Sequence, residues 1–313
     1  MHPRLTELWP PLGSTVSIAH AFQRPPYGGS NQFLLALRGE LRRRGVSVGA
    51  NRITGRTRAC VMNAFLFDVE RVASARRTGC RMVHRVDGPV GLYRGADDGT
   101  DTRLAKINAR LADVTVFQSQ YSLDATRALG FELVAPTVIM NAVDPVIFRR
   151  GPREPLSGER VRVIATSWSP NPNKGAAVYE WLDRHLDFER YDVTFVGQSP
   201  VAFERICTVA PVGSATLAGL LREHDVYLTA SANDPCSNAL IEALACGLPA
   251  LFLNSGGHPE IVGAAGLPFT AAEEIPALLD QLVAGHAQRR AAIALPSLTE
   301  VADRYLEAMG LAG

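Results

Sequence analysis

The sequence predicts two α/β units in tandem, each a doubly wound parallel sheet, facing each other across a cleft. Three observations lead there. Short apolar runs alternate with amphipathic helical stretches along the chain, as in parallel sheets covered on both faces. The alternation breaks at 148–160, where FRRGPREPLSGER is rich in glycine, proline and charge. That stretch bonds poorly into either sheet and reads as a domain linker. Finally, 313 residues are enough for two separate cores.

In order, 15–22 (TVSIAHAF) reads as a strand and 30–45 as a helix closed by Gly45. Strands over 59–66, 81–87, 114–119 and 136–144 follow, separated by helices over 67–79, 104–112 and 121–130. The second series starts at 160–168. It runs through a helix at 174–186, a strand at 191–198, a helix at 215–224 and a strand at 225–231. A helix over 237–247, a strand over 248–255 and a helix around 273–285 complete it. The expected domains are 1–150 and 151–295. After Pro296 a last helix, within 296–313, is expected to return to the first domain.

Bulk properties narrow the function. Net charge is +1, so nothing global steers the chain to nucleic acid, and no stable nucleic-acid binding is expected. Arg42-Arg43-Arg44 reads as a solvated helix end. No run of about twenty apolar residues suggests a spanning helix, which leaves at most a peripheral membrane contact. Residues 1–15 carry prolines where a leader peptide needs an apolar core, and read as a short arm. Five scattered cysteines without a CxxC pair argue against a zinc or disulfide framework and point to a reducing, cytoplasmic setting. Oligomeric state is not legible.

In such sheets ligands sit beyond the carboxyl ends of the strands, so the loops after strands hold the candidates. At 230–262, a strand end carries Asp234 into a helix starting near Pro235 or Ser237, and Glu242 lies one turn past Asn238. Free N–H groups there, flanked by Ser237 and Asn238, suit an anion. The two acids could grip hydroxyls on either side of a bound diphosphate. Equally, Asp234 could simply cap the helix and Glu242 be an ordinary helical carboxylate. Lys174, at the entrance to a helix after a strand, can meet a phosphate as a point charge, or be an ordinary exposed lysine. It is not a P-loop, lacking both the glycine spacing and the following Ser/Thr. Gly28-Gly29, between first strand and first helix, would let a ligand approach backbone N–H groups, or would form a tight turn. In VHRVDGP, strand alternation turns Arg85 and Asp87 one way, where they can pair, and His84 the other, as a packed or hydrogen-bonded residue.

Asp234-x7-Glu242 followed by ALACGLPA resembles the E-x7-E donor motif of the family 4 retaining glycosyltransferases, which have the GT-B fold. The resemblance runs from Gly28 to Glu260. It implies transfer of a sugar from a UDP- or GDP-sugar to an acceptor hydroxyl with retention, without metal or other cofactor. It further implies that Glu242 binds the ribose, Asp234 the transferred sugar and Lys174 the diphosphate. The family's R-x4-K places its arginine at Ser169, so Ser169, Asn173, Ser237 and Asn238 are expected to donate hydrogen bonds instead. Gly28 and Gly29 match the family's sugar-side glycine pair, and NSGGHPEIV its glycine pair Gly256-Gly257 before a glutamate, Glu260. Asp87 stands at the family's strand-end histidine position. Asn141 matches the motif closing the first domain, and Ser119 falls on the cleft rim. Asp for glutamate at 234 shortens that arm by about one methylene. A non-catalytic nucleotide-sugar-binding scaffold is the main alternative. A nicotinamide oxidoreductase lacks its G-x-G-x-x-G, and an epimerase lacks locatable acid–base residues.

Overall fold

A computed structural model describes residues 13–23, 29–76, 79–96, 98–167, 169 and 171–312. Gly28 and most of the N-terminal arm, residues 1–12, lie outside the described residues.

The first unit runs β1 (Val16–Ala19), α1 (Gly29–Arg43), β2 (Val48–Ala50), β3 (Ala59–Asn63), α2 (Val69–Arg76), β4 (Arg81–Arg85), α3 (Val90–Arg94), α4 (Thr100–Leu111), β5 (Val114–Phe117), α5 (Gln120–Ala128) and β6 (Pro136–Val138). The second runs β7 (Val161–Ser167), α6 (Ala176–His185), β8 (Tyr191–Gly197), β9 (Cys207–Val209), α7 (Ser214–Glu223), β10 (Val226–Thr229), α8 (Asn238–Ala245), β11 (Ala250–Leu253), α9 (His258–Val262), β12 (Gly266–Phe269), α10 (Ile275–Ala284) and α11 (His286–Ala291), before the final α12 (Leu298–Ala308).

Each unit holds a six-stranded sheet, ordered β2-β1-β3-β4-β5-β6 and β12-β11-β10-β7-β8-β9, with every pairing among the described residues parallel. Alternation decides the layers. Val61 and Val83 pack with α1, whereas Cys60, Met62 and Met82 point to the other face, toward Val72 and Ile107. In the second sheet Ile164 and Val196 face α7 and α8, while Val163, Ala165 and Phe195 face α6 and α10. Helix α12 packs on α1, placing Leu298, Val301, Ala302 and Tyr305 in the first sheet's core.

Three sequence expectations change. The stretch after Phe148 is pinned rather than loosely attached. Buried Asp225 accepts from Arg153 at 2.8 Å and from the backbone N–H groups of Leu156 and Arg162 at 2.8 and 3.0 Å. Arg44 is no solvated helix end, since it pairs with Glu40 and Asp303 and donates to the Thr299 carbonyl, tying α1 to α12. Strands expected at 81–87 and 136–144 end at Arg85 and Val138, so Asp87 and Asn141 sit in loops beyond them.

Both sheets reverse strand order beside their first strands. β1 has β2 and β3 as neighbours, and β7 has β8 and β10. Loops leaving two such strands diverge and open a crevice at the sheet's carboxyl edge. The loops after β7 and β10 are those that carry Lys174 and Asp234.

Candidate active site in the interdomain cleft

A cavity of about 490 Å³ lies between the two carboxyl edges. Its wall includes Gly29, Asp87, Asn141, Ser169, Lys174, Asp234, Ser237, Asn238 and Glu242. The structure therefore gathers nine of the thirteen sequence candidates. Gly28 falls outside the described residues; Asn173, Gly256 and Gly257 are off the wall.

Lys174 and Asp234 are brought together by the adjacency of β7 and β10. Gly175 makes the approach possible: at φ +79° it turns the chain in the left-handed region, and a Cβ there would sit 2.4 Å from the Ala230 carbonyl. Lys174 Nζ lies 2.9 Å from Asp234 Oδ2, with both side chains mostly buried. It also sits 4.9 Å from the centre of the Tyr93 ring, which crosses from the first domain. Burial opposes the ammonium, but Asp234 and Tyr93 outweigh it and hold its pKa above that of an ordinary lysine. Burial likewise opposes the Asp234 carboxylate, yet Lys174, His258 and the Cys236 N–H keep its pKa below the usual aspartate value. Neither the exposed-lysine reading nor the simple cap survives. Asp234 caps nothing in α8, whose N-cap is Ser237, with its hydroxyl accepting from the Leu240 N–H.

Glu242 is different. It is buried on the cavity wall, and among the described residues no hydrogen bond or ion pair reaches its carboxyl. Burial pushes its pKa from the ordinary 4.5 to about 8. A buried acid without a protein partner, facing a cavity, is poised for a ligand's hydroxyls.

From the first domain, α1 begins at Gly29 directly opposite α8. A Cβ on Gly29 would stand 2.6 Å from Asn238 Nδ2, so the two helix N-termini meet. Asn141 Nδ2 donates to Asn238 Oδ1 at 3.0 Å. Arg85, 1% exposed, donates to Asn141 Oδ1 at 3.2 Å and Asn63 Oδ1 at 2.8 Å, and pairs with Asp87 at 2.5 Å. The alternation argument thus placed both groups: Arg85 and Asp87 pair, while His84 is buried against the Ala64 carbonyl and Asn108, its pKa lowered to about 4 by burial.

Of the remaining candidates, Asn173 and Gly257 touch the first domain and Gly256 packs within the second. Asn173 Nδ2 donates to the Tyr93 and Leu92 carbonyls at 2.8 and 3.2 Å. Gly256 and Gly257 let the loop after β11 press on Asp234 and Pro235, where added Cβ atoms would meet carbonyl oxygens at 2.3 and 2.4 Å. Gly257 also abuts Ser119 of the first domain. Beyond the pair, Glu260 accepts from the Gln120 and Tyr121 N–H groups at 2.7 and 2.6 Å, a carboxylate from one domain on a helix start of the other. Sequence reasoning missed this bridge, and Tyr93 and Arg94 on the cavity wall, because the short α3 has no periodicity to announce it. Among the described residues no group of three or more His, Cys, Asp or Glu could hold a metal ion, and no helix is long and apolar enough to cross a membrane.

Residues 177–285, about a third of the chain, match the family model described as glycosyl transferases group 1. The fold is GT-B. The match begins three residues after Lys174 and contains Asp234, Glu242 and the Gly256-Gly257 pair. No curated protein matches the chain. Among solved structures, the chain resembles sucrose-phosphate synthase of Thermosynechococcus elongatus at 13% identity and TM-score 0.68, covering 94% of each chain. It resembles Anabaena HepE in complex with UDP-glucose at 14% identity and TM-score 0.64, covering 95% of this chain and 96% of the other. The catalytic domain of starch synthase IV from Arabidopsis thaliana, bound to ADP and acarbose, gives 11% identity and TM-score 0.71, covering 96% and 99%.

Proposed function

We propose that the protein transfers a glycosyl group from a nucleoside diphosphate sugar to an acceptor hydroxyl, retaining anomeric configuration and using no metal. The observation that carries this reading is Glu242, a buried carboxyl with no partner among the described residues, in a cavity at the switch point of the second sheet. In this reading Glu242 takes the ribose hydroxyls, as the family's second motif acid does. The N–H groups at the start of α8, with Ser237 and Asn238, take the diphosphate together with Lys174. Asp234 and Asp87, on opposite walls, bracket the sugar.

Retention fits a site in which attack comes from the leaving-group face and the diphosphate accepts the acceptor's proton. The protein then contributes positioning and stabilisation of charge on the leaving group. Support for a nucleotide-sugar donor comes from the group 1 match and from the UDP-glucose and ADP bound by the structural neighbours. Those ligands differ in base, so UDP, GDP and ADP conjugates are all to be tried. The cytoplasm, where nucleotide sugars are made, is the proposed setting.

The test is a thermal-shift screen against UDP, GDP, ADP and their sugar conjugates, repeated on Glu242→Ala. A ligand of the folded state raises the melting temperature according to its occupancy. Stabilisation by one nucleotide, lost in the variant, is expected. No stabilisation by any of them would overturn the reading. Binding without detectable donor hydrolysis or transfer would favour a non-catalytic binding protein.

A further inference from the structure

Resting on that reading, we propose that Arg94 is the second cation of the diphosphate site, presented by the first domain in place of the arginine absent at position 169.

Charge on the cavity wall leads to this residue. Among the described lining residues the cations are Arg85, Arg94 and Lys174, and the acids are Asp87, Asp234 and Glu242. Two of the cations are already committed. Arg85 is buried and held by Asp87, Asn63 and Asn141. Lys174 is held by Asp234 and the Tyr93 ring. A diphosphate meeting only these would face cations largely cancelled by their own carboxylates. Arg94 is not committed in this way. Among the described residues its ion pair is to Asp98 at 3.3 Å, four residues on, with the two side chains 49% and 52% exposed, and its guanidinium lies 5.9 Å from the centre of the Phe65 ring. Exposed ion pairs contribute little, so the guanidinium can leave it for a ligand at small cost.

Its backbone is fixed beside the lysine. Tyr93, on one side, accepts from Asn171 Nδ2 and Asn173 Nδ2 at 3.1 and 2.8 Å through its carbonyl. Gly95, on the other, lies beside the same Asn173 amide, which a Cβ added there would meet at 3.6 Å. Arg94 therefore springs from a segment docked on the loop that carries Lys174 and Ser169. A planar guanidinium meets two phosphate oxygens at once, which a serine hydroxyl cannot. Because α3 belongs to the first domain and Lys174 to the second, the two cations face one cavity only while the domains are together.

Calorimetric titration of the wild type, Arg94→Ala, Arg94→Lys and Asp98→Asn with UDP, GDP and ADP, and with uridine, guanosine and adenosine, tests this. Arg94→Ala should weaken the diphosphate that binds by about tenfold or more, the usual loss for a hydrogen bond to a charged group. The corresponding nucleoside should bind within about twofold of wild type, since it lacks the phosphates. Arg94→Lys should recover part of the loss, and Asp98→Asn should leave binding equal or tighter. Arg94 is exposed, so its removal leaves the fold intact, which an unchanged melting temperature verifies. Diphosphate affinity unchanged in Arg94→Ala would overturn the assignment while leaving the transferase reading in place. A wild type that binds none of the three nucleoside diphosphates would remove both.

Discussion

Replacing Lys174 with methionine isolates the Lys174–Asp234 pair, because methionine keeps the length of the side chain and discards its charge. The side chains are 17% and 10% exposed, with Nζ and Oδ2 2.9 Å apart. Removing one partner of a buried pair leaves the other charge uncompensated and costs about 3–5 kcal/mol. Asp234 would keep its bond from the Cys236 N–H at 3.2 Å, and the cavity admits water, so about 2–4 kcal/mol is expected. Asp234→Asn should be milder, and the double variant should be less destabilised than the sum of the singles, because both charges are then gone. The pH window follows from the shift directions. The depressed Asp234 pKa contributes stability above its unfolded value, lost as pH falls through the folded one. The raised Lys174 pKa contributes stability below its unfolded value, lost as pH rises through the folded one. Both contributions are therefore present near neutrality. Urea denaturation at pH 7 measures the three differences. Single variants within about 0.5 kcal/mol of wild type, the range of ordinary surface substitutions, would refute the pair as a buried, structure-determining contact.

Other variants probe the rest of the cleft. Glu242 has its pKa raised to about 8, so wild-type stability should fall as pH rises from about 4.5 to 8. Glu242→Gln should flatten that slope in pH-dependent denaturation, and an unchanged slope would count against a buried acid. Glu260→Ala removes a carboxylate from two N–H groups of α5, at a cost of about 1–2 kcal/mol, the size of a lost helix cap. The domains should separate, and small-angle scattering should give a larger radius of gyration. Gly29→Ala places a Cβ within 2.6 Å of Asn238 Nδ2, so the Asn238 amide must swing away from its bond with Asn141. Nucleotide affinity should drop with little change in melting temperature, and unchanged affinity would show that the close approach is dispensable.

What the sequence disclosed and what it withheld have physical causes. The strands of both sheets, buried on both faces, read as apolar runs, and the Asp234-x7-Glu242 spacing lies within one loop and the helix it enters, where it is legible in the sequence. Arg85 and Asp87 do pair as alternation suggested, although the strand ends at Arg85 and Asp87 reaches it from the loop beyond. Short edge strands were not legible: Val48–Ala50, Cys207–Val209 and Gly266–Phe269 span three or four residues, too few for a period to register. Nor was the work of the small polar residues. Asn173 faces the opposite domain, with a partner 80 residues away, and Gly256 and Gly257 press on the neighbouring loop at Asp234 and Pro235, so neither leaves a local signal. Glu260 on the start of α5 and Arg94 on the cavity wall belong to the same class, contacts made only once two domains are assembled.

The central claim is that the cleft transfers sugar from a nucleoside diphosphate. Its most direct test is release of nucleoside diphosphate from UDP-, GDP- and ADP-sugars by the purified protein with a chelator present, compared with Glu242→Ala. Release from one donor, surviving the chelator and lost in the variant, is the predicted result. A folded protein that binds these donors yet releases nothing, with or without a panel of hydroxyl acceptors, would contradict it.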